Sequence, residues 1–176
     1  MSSWVEARYG LGPEPQSRYL SAEVCLSGHP TSSGIEYSPE LTAKFCAVCG
    51  AETIRTCPAC NSTIRGDYHV PGFISAGREY IPPNHCHNCG AAFPWKTAKV
   101  EAAKEHAAEI DELDDGEKVQ LQRAIDDLAA GGVRTELAAS RFKRLMNKAG
   151  QTVSSGLYKI VIDVATEAAK KALMGL

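Results

Sequence analysis

Four pairs of potential metal ligands follow one another between residues 25 and 89, and they constrain the fold more than any other feature of the sequence. All seven cysteines lie in that stretch, and one histidine completes the set. A Cys-x2-Cys turn lets two thiolates converge on one ion from a single backbone knuckle, and a second knuckle completes a tetrahedron. Eight ligands therefore predict two tetrahedral sites, formed from the pairs Cys25/His29, Cys46/Cys49, Cys57/Cys60 and Cys86/Cys89.

The order of the pairs predicts how they divide between two zinc ions. Structural Zn²⁺ is held almost always by Cys₄, Cys₃His or Cys₂His₂ sets. Sequential pairing gives a Cys₃His site from Cys25, His29, Cys46 and Cys49, followed by a Cys₄ site from Cys57, Cys60, Cys86 and Cys89. The alternative is a nested arrangement with Cys46, Cys49, Cys57 and Cys60 around one ion, because only seven residues separate the two middle pairs.

Other uses of these cysteines fit the pattern less well. Disulfides need an oxidising compartment, whereas an odd number of cysteines leaves one unpaired and we expect no secretory signal ahead of them. A redox Cys-x2-Cys motif normally stands alone at a strand-to-helix turn, and here three occur in series. Iron in an all-thiolate site stays open. A catalytic zinc keeps a free fourth position, which four-ligand sets do not provide, so we expect two structural zinc ions.

Composition divides the 176 residues into three parts. Residues 1–18 contain prolines and glycines without a sustained period, which predicts a flexible tail. Residues 19–96 place short β-like runs between the ligand pairs, the layout of a double zinc ribbon. Residues 97–176 lack cysteine and proline and are rich in alanine, which predicts a helical domain. The expected fold class is α+β, a small β-rich double ribbon followed by about four helices.

The ribbon region contains too few large apolar side chains to form a sufficient core. Small domains bury too little surface to fold without metals or disulfides. We therefore expect the zinc ions to replace the core. The net charge of −2 and the lack of any run of eighteen apolar residues indicate a cytoplasmic protein that does not enter a membrane.

Apolar spacing predicts four helices in the last part of the chain. The first covers Thr97 to about Asp114, and Asp114 with Glu117 forms a capping box that begins the second, which Gly131 and Gly132 end. The third, Thr135 to about Lys148, is expected to bury four apolar residues: Leu137, Phe142, Leu145 and Met146.

The final predicted helix, Thr152 to Leu173, carries two neighbouring apolar stripes. One contains Leu157, Ile160, Val161 and Val164, and the second includes Ile162 and Leu173. So broad an apolar surface is either buried centrally or drives association. We expect self-association or protein-partner docking through this helix.

Charge is unevenly distributed along the helical part. Residues 105–117 carry seven acids and no lysine or arginine, whereas residues 134–148 carry five bases and one acid. The favoured interpretation is a pair of solvated faces that partly compensate each other. The alternative is a nucleic-acid contact, because clustered basic side chains attract phosphates whatever the base sequence. The bases in question are Arg141, Lys143, Arg144 and Lys148.

From Tyr19 onward the chain resembles an uncharacterised family of bacterial proteins with a double zinc-ribbon N-terminal half and a helical C-terminal half. The resemblance implies architecture and zinc, and it implies no reaction or substrate. The first eighteen residues fall outside it. The matching segments are AEVCLSGH, IEYSPELTAKFCAVCGAETI, CPAC, IRGDYHVPG, YIPPNHCHNCGAAFPW and RTELAASRFKRLMNKAG.

The sequence favours a zinc-binding interaction or adaptor module over an enzyme. It contains no Ser/His/Asp array, no phosphate-cradling glycine loop and no carboxylate cluster beside a free histidine. We expect ribbons and helices to bind a protein partner or a second copy, without catalysis and without a small-molecule substrate. The alternative is a nucleic-acid-binding accessory protein that uses the basic helix 134–148 and the ribbon loops.

Overall fold

The structure is a computed structural model that describes residues 16–73 and 79–175, without side chains for 151–154. The tail predicted over residues 1–18 lies almost wholly outside these residues. The chain divides after Cys89 into two compact units. Short strands form the first unit and helices form the second, which confirms the α+β fold class.

The N-terminal unit contains two small antiparallel sheets. β1 and β5 pair in one sheet, and the other has the order β3-β2-β4, with β2 in the middle. A short 3₁₀ helix, Pro39–Leu41, precedes the second ligand pair. The strands are β1 Arg18–Ser21, β2 Glu23–Cys25, β3 Pro30–Ser32, β4 Thr53–Ile54 and β5 Arg65–His69.

The interior of this unit is small, as the sequence predicts. Within its described residues, the buried apolar side chains other than cysteine are Leu20, Ala22, Val24 and Ile64. The remaining buried hydrophobic residues of the unit are cysteines of the four ligand pairs. The metal ligands therefore occupy the place that a hydrophobic core takes in a larger domain.

A break in register between β1 and β5 brings Gly66 against another part of the backbone. The pairing shifts between Tyr19 and Ser21, and the amide of Asp67 donates a hydrogen bond to Ser33 O at 2.8 Å. A Cβ at Gly66 would lie 2.0 Å from that same oxygen. Only glycine fits this close approach.

The C-terminal unit contains five α-helices within the described residues and has its own hydrophobic core. Phe142, Leu121, Ile125 and Leu157 are among its fully buried side chains. In the part of the chain that the structure describes, no helix has both the length and the apolarity needed to cross a bilayer. The helices are α1 Pro94–Ala108, α2 Asp115–Ala130, α3 Thr135–Ala149, α4 Gln151–Val164 and α5 Glu167–Met174.

The predicted start and end of the second helix are confirmed. The Asp114 carboxylate accepts a hydrogen bond from the amide of Glu117 at 2.8 Å, and the Glu117 carboxylate accepts one from the amide of Asp114 at 3.1 Å. This reciprocal pair is the capping box that the sequence predicts. The helix stops at Gly131, whose φ of 71° favours glycine.

The predicted end of the first helix is wrong. The helix begins at Pro94, a favoured first position for proline, and ends at Ala108 rather than near Asp114. Ile110 and Leu113 are nevertheless buried, because the turns that follow return them to the core. The seven acids of residues 105–117 explain why the helix ends early. Their carboxylates repel one another and are also repelled by the negative C-terminal end of the helix dipole.

The single helix predicted from Thr152 to Leu173 is also wrong, because the chain forms two helices there. Ala165 is extended, and Thr166 caps α5 by accepting a hydrogen bond from the amide of Ala169 at 3.3 Å. The amide of Thr166 donates to Leu128 O, at the end of α2. The break therefore satisfies backbone groups of two helices. Thr166 followed by Glu167 is the capping signal in the sequence that indicates this second helix.

Leu137 was predicted to be buried and is 48% exposed. It lies on the same side of α3 as Arg141, Arg144 and Lys148, which follow it at helical spacing. The core side of α3 is formed instead by alanines and three large apolar residues: Ala138, Ala139, Phe142, Leu145, Met146 and Ala149.

Replacing Gly66 by alanine should destabilise the N-terminal unit by about 1–3 kcal/mol, because the added methyl group overlaps Ser33 O. Urea denaturation of the zinc-loaded protein measures the change. The matched control is Gly156→Ala in α4, where the nearest atom to the added Cβ is 3.8 Å away. That control should gain about 0.5–1 kcal/mol from helix propensity. Equal effects of the two substitutions would contradict the close approach at Gly66.

Candidate metal centres

The first centre is assembled from a hairpin and a knuckle. Cys25 ends β2, and a tight turn through Gly28, with φ of 90°, returns the chain to His29. The Cys25 amide donates to His29 O at 2.9 Å, which holds the two ligands on one side of the turn. Cys46 and Cys49 come from the knuckle that precedes β4. The ligand atoms of these four residues all lie within 4.8 Å of one another.

The second centre joins two knuckles that are distant in sequence. Cys57 and Cys60 lie between β4 and β5, and Cys86 and Cys89 end the unit. Their four sulfur atoms form a second group with the same spread, within 4.8 Å of one another. Asn88 contacts both knuckles, because its backbone N–H donates to Cys86 Sγ and its side-chain Nδ2 donates to Cys60 Sγ.

The separations within each group fit a tetrahedral zinc site. Zinc–sulfur bonds of about 2.3 Å imply sulfur–sulfur edges of about 3.8 Å. His29 presents Nδ1, which lies 3.6 Å from Cys25 Sγ and 3.8 Å from Cys46 Sγ. The sulfur–sulfur distances are 3.7 Å for Cys25–Cys49, 3.8 Å for Cys57–Cys89 and 3.6 Å for Cys60–Cys86. The two groups, Cys₃His and Cys₄, are consistent with two zinc ions.

The cysteine knuckles share one backbone conformation. The Cys46 amide donates to Ala51 O at 2.8 Å, and the Cys57 amide donates to Ser62 O at the same distance. The residue after the second cysteine is left-handed in each knuckle, with φ of 72° at Gly50, 57° at Asn61 and 74° at Gly90. Glycine and asparagine are the residues that adopt this conformation most easily, which explains the sequence CxxC-G/N.

Hydrogen bonds to sulfur favour the thiolate form, which is the form that binds zinc. The backbone N–H of Ala51 lowers the pKa of Cys49 to about 6. The hydroxyl and amide of Ser62 lower the pKa of Cys60 to about 5. Burial acts in the opposite direction at Cys25 and raises the pKa of its thiol. Each centre therefore contains a cysteine whose pKa lies well below the ordinary value for a thiol.

An ion pair that the sequence pattern does not indicate forms on a buried carboxylate two residues before Cys25 of the first centre. The Glu23 side chain is 1% exposed, and Arg55 Nε donates to its carboxylate at 2.6 Å. The amide of Ala43 and the hydroxyl of Thr31 also donate to it, both at 2.8 Å. Burial alone would raise the pKa of Glu23, but these hydrogen bonds outweigh it and lower the pKa.

The position of Glu23 in its strand was the signal that could have revealed the pair. Residues two apart in a strand face the same side, so Glu23 must share the interior side of Cys25. A carboxylate placed there needs partners because an unpaired buried charge is costly. The donors come from β3, from the loop before Phe45 and from Arg55 directly after β4, and no local pattern in the sequence connects these segments to Glu23.

The fold and the two centres define a double zinc-ribbon protein with a helical C-terminal half. The chain belongs to a bacterial family described as "Uncharacterized protein conserved in bacteria (DUF2321)", whose model matches residues 18–173. Comparison with curated proteins and with solved structures gives no match.

Elemental analysis of the protein purified without chelator should give two zinc ions per chain. Zinc removal should unfold the N-terminal unit and leave the helical signal in circular dichroism, because the large apolar core among the described residues belongs to the C-terminal unit. Cys57→Ser should lower the stoichiometry to one ion, whereas Thr56→Ser, which removes no ligand, should keep two. A single ion in the wild type, or loss of both ions from Cys57→Ser alone, would contradict two independent four-ligand sites.

Replacing Glu23 by glutamine should destabilise the N-terminal unit by about 1–3 kcal/mol, since the amide keeps the shape but loses the charge that Arg55 and Ala43 contact. Thermal denaturation of the zinc-loaded protein measures the shift. Glu40→Gln, an exposed acid of the 3₁₀ helix, is the matched control and should change nothing. An unchanged melting temperature for Glu23→Gln would mean that the ion pair contributes no stability.

Proposed function

We propose that this protein is a non-catalytic interaction module whose zinc centres hold a rigid surface for a protein partner. The proposal rests on the two complete four-ligand groups. A catalytic zinc needs an open position for water or substrate, and a set of four protein ligands does not supply one. Zinc in such a site contributes roughly 10–16 kcal/mol to folding, which is the role expected of a structural ion.

Exposed apolar side chains around the first centre support binding of a partner. Val48 lies in the knuckle between Cys46 and Cys49 and is 77% exposed, and Phe45 and Leu26 are also exposed. Phe45 pairs with Glu52 across an isolated bridge, and the Leu26 amide donates to Glu52 O. We call Leu26, Phe45 and Val48 the knuckle surface. Apolar residues held in place by a metal site can bind without a large ordering cost.

Self-association through the C-terminal helix stays a prediction. The first apolar stripe of the predicted helix is mostly buried, at Leu157, Val161 and Val164 of α4. From the second stripe, Leu173 of α5 is buried. Ile160 and Ile162 are partly buried against the same core. The apolar surface left for a second copy is therefore smaller than the stripes in the sequence imply, and this favours the knuckle surface as the docking site.

The nucleic-acid alternative receives less support, because most bases of the 134–148 segment have partners within the C-terminal unit. Arg134 pairs with Asp127, and Lys148 pairs with Glu117. Lys143 Nζ donates to Ala172 O, and Arg144 donates to Gln120. Phosphate binding would have to compete with these contacts.

The double variant Phe45→Ser/Val48→Ser should lose the protein partner that wild type co-purifies from the native cell. We expect at least about a tenfold reduction, because side chains at an interface centre dominate affinity. Val133→Ser, a fully exposed valine of the C-terminal unit, is the matched control and should retain the partner. The wild type should keep its partner at high salt, since salt screens charge interactions but not apolar contacts.

Two results would contradict this function. If the double variant and Val133→Ser retain the partner equally, the knuckle surface is not part of the interface. Salt-sensitive binding of random DNA or RNA, abolished by Arg141→Glu/Arg144→Glu, would favour the nucleic-acid alternative. In the same preparations, sedimentation of wild type against Ile160→Glu measures the self-association predicted for the C-terminal helix.

A further inference from the structure

The N-terminal unit contains a cavity that neither zinc centre uses. Its volume is about 350 Å³, at the small end of the range for ligand pockets. Three tyrosine rings and two carboxylates are among its walls, and we call it the tyrosine cavity; these residues are Tyr19, Tyr68, Tyr80, Asp67 and Glu79. Among the described residues that line it there is no lysine or arginine.

The strand pairing places two of the rings together. Tyr19 of β1 and Tyr68 of β5 are direct partners across the sheet, and their ring centroids are 5.0 Å apart with a 62° angle between the planes. Both rings are about half exposed, so they contribute open aromatic surface rather than core. The guanidinium of Arg65 lies 4.6 Å from the Tyr19 ring centroid, which shows that a cation already uses one of these rings.

The third ring is fixed by a hydrogen bond. The Tyr80 hydroxyl donates a hydrogen bond to Arg65 O at 2.6 Å. This proton is therefore not available to a ligand, and Tyr80 would contact a ligand through its ring. Burial, together with the nearby Asp67 carboxylate, raises the pKa of Tyr80. This phenol therefore stays neutral, and Asp67 is close enough to act on charge in the cavity.

The carboxylates supply negative charge. Neither Asp67 nor Glu79 belongs to an ion pair within residues 16–73 and 79–175. These two negative charges outnumber the single guanidinium of Arg65 at the Tyr19 ring, so the cavity disfavours phosphate and attracts a cation. The rings disfavour a strongly hydrated metal ion, which requires oxygen ligands around it, but suit a weakly hydrated organic cation.

We propose that the tyrosine cavity binds an alkylated ammonium group, of the kind carried by choline or by a methylated lysine side chain. The methyl groups contact the faces of the rings, and the positive charge interacts with the ring quadrupoles and with Asp67 and Glu79. This site is separate from the knuckle surface and does not depend on the proposed partner.

Titration of the zinc-loaded protein with choline, at constant ionic strength, should shift the backbone amide resonances of Gly66, Asp67 and Tyr68. The neutral isostere 3,3-dimethylbutan-1-ol has the same shape without the charge and should bind at least about tenfold more weakly. A peptide with trimethyllysine is the second probe. Tighter binding of the peptide identifies a protein side chain as the source, and equal binding identifies a free small cation.

Variants define which groups bind. Tyr68→Ala should weaken choline binding by about tenfold, and Asp67→Asn by several-fold, whereas Tyr68→Phe should bind as the wild type does, because the ring and not the hydroxyl makes the contact. Tyr37→Ala, an exposed tyrosine of the same unit outside the cavity, is the matched control. Two bound zinc ions in every variant verify folding.

The proposal is wrong if choline and its neutral isostere bind equally well. It is also wrong if both Tyr68→Ala and Asp67→Asn bind choline as the wild type does, or if neither cationic probe shifts the resonances. Binding of adenosine monophosphate that Tyr68→Ala abolishes would also overturn it, in favour of base stacking.

Discussion

Coordination of metal by thiolates is the interaction on which the N-terminal half depends. The larger apolar side chains buried there, Leu20, Val24 and Ile64, contribute about 5–9 kcal/mol together by transfer energies. Two structural zinc ions supply roughly 10–16 kcal/mol each. A strand of two residues such as β4 is too short to be stable alone, and we expect zinc binding by the knuckles on either side to hold it in place.

Glu23 and Arg55 connect the segments that lead into the two zinc centres, although each centre has its own four ligands. Each of these residues lies two positions before the first cysteine of a centre, Cys25 and Cys57 respectively. Their ion pair therefore joins the strand that ends in one centre to the segment that enters the other. Arg55 is half exposed while Glu23 is buried, so the carboxylate determines the geometry and the guanidinium adapts to it.

Features that depend on local spacing could be predicted from the sequence, and features that depend on distant contacts could not. The knuckles and the Asp114 capping box require only residues a few positions apart, and both are present. The break at Thr166 depends on a hydrogen bond to Leu128, thirty-eight positions earlier, and the apolar stripe continued through it. The tyrosine cavity likewise needs the pairing of β1 with β5, and three of the four ligand pairs lie between these strands in the sequence.

The unequal basis of stability in the two units has a consequence for turnover in the cell. The C-terminal unit has an apolar core of its own, whereas the described part of the N-terminal unit buries few apolar side chains beyond its metal ligands. A chain synthesised during zinc shortage would combine an unfolded N-terminal unit with a folded C-terminal unit. Proteases cleave unfolded segments, so the cellular level of this protein would follow the supply of zinc even with synthesis unchanged.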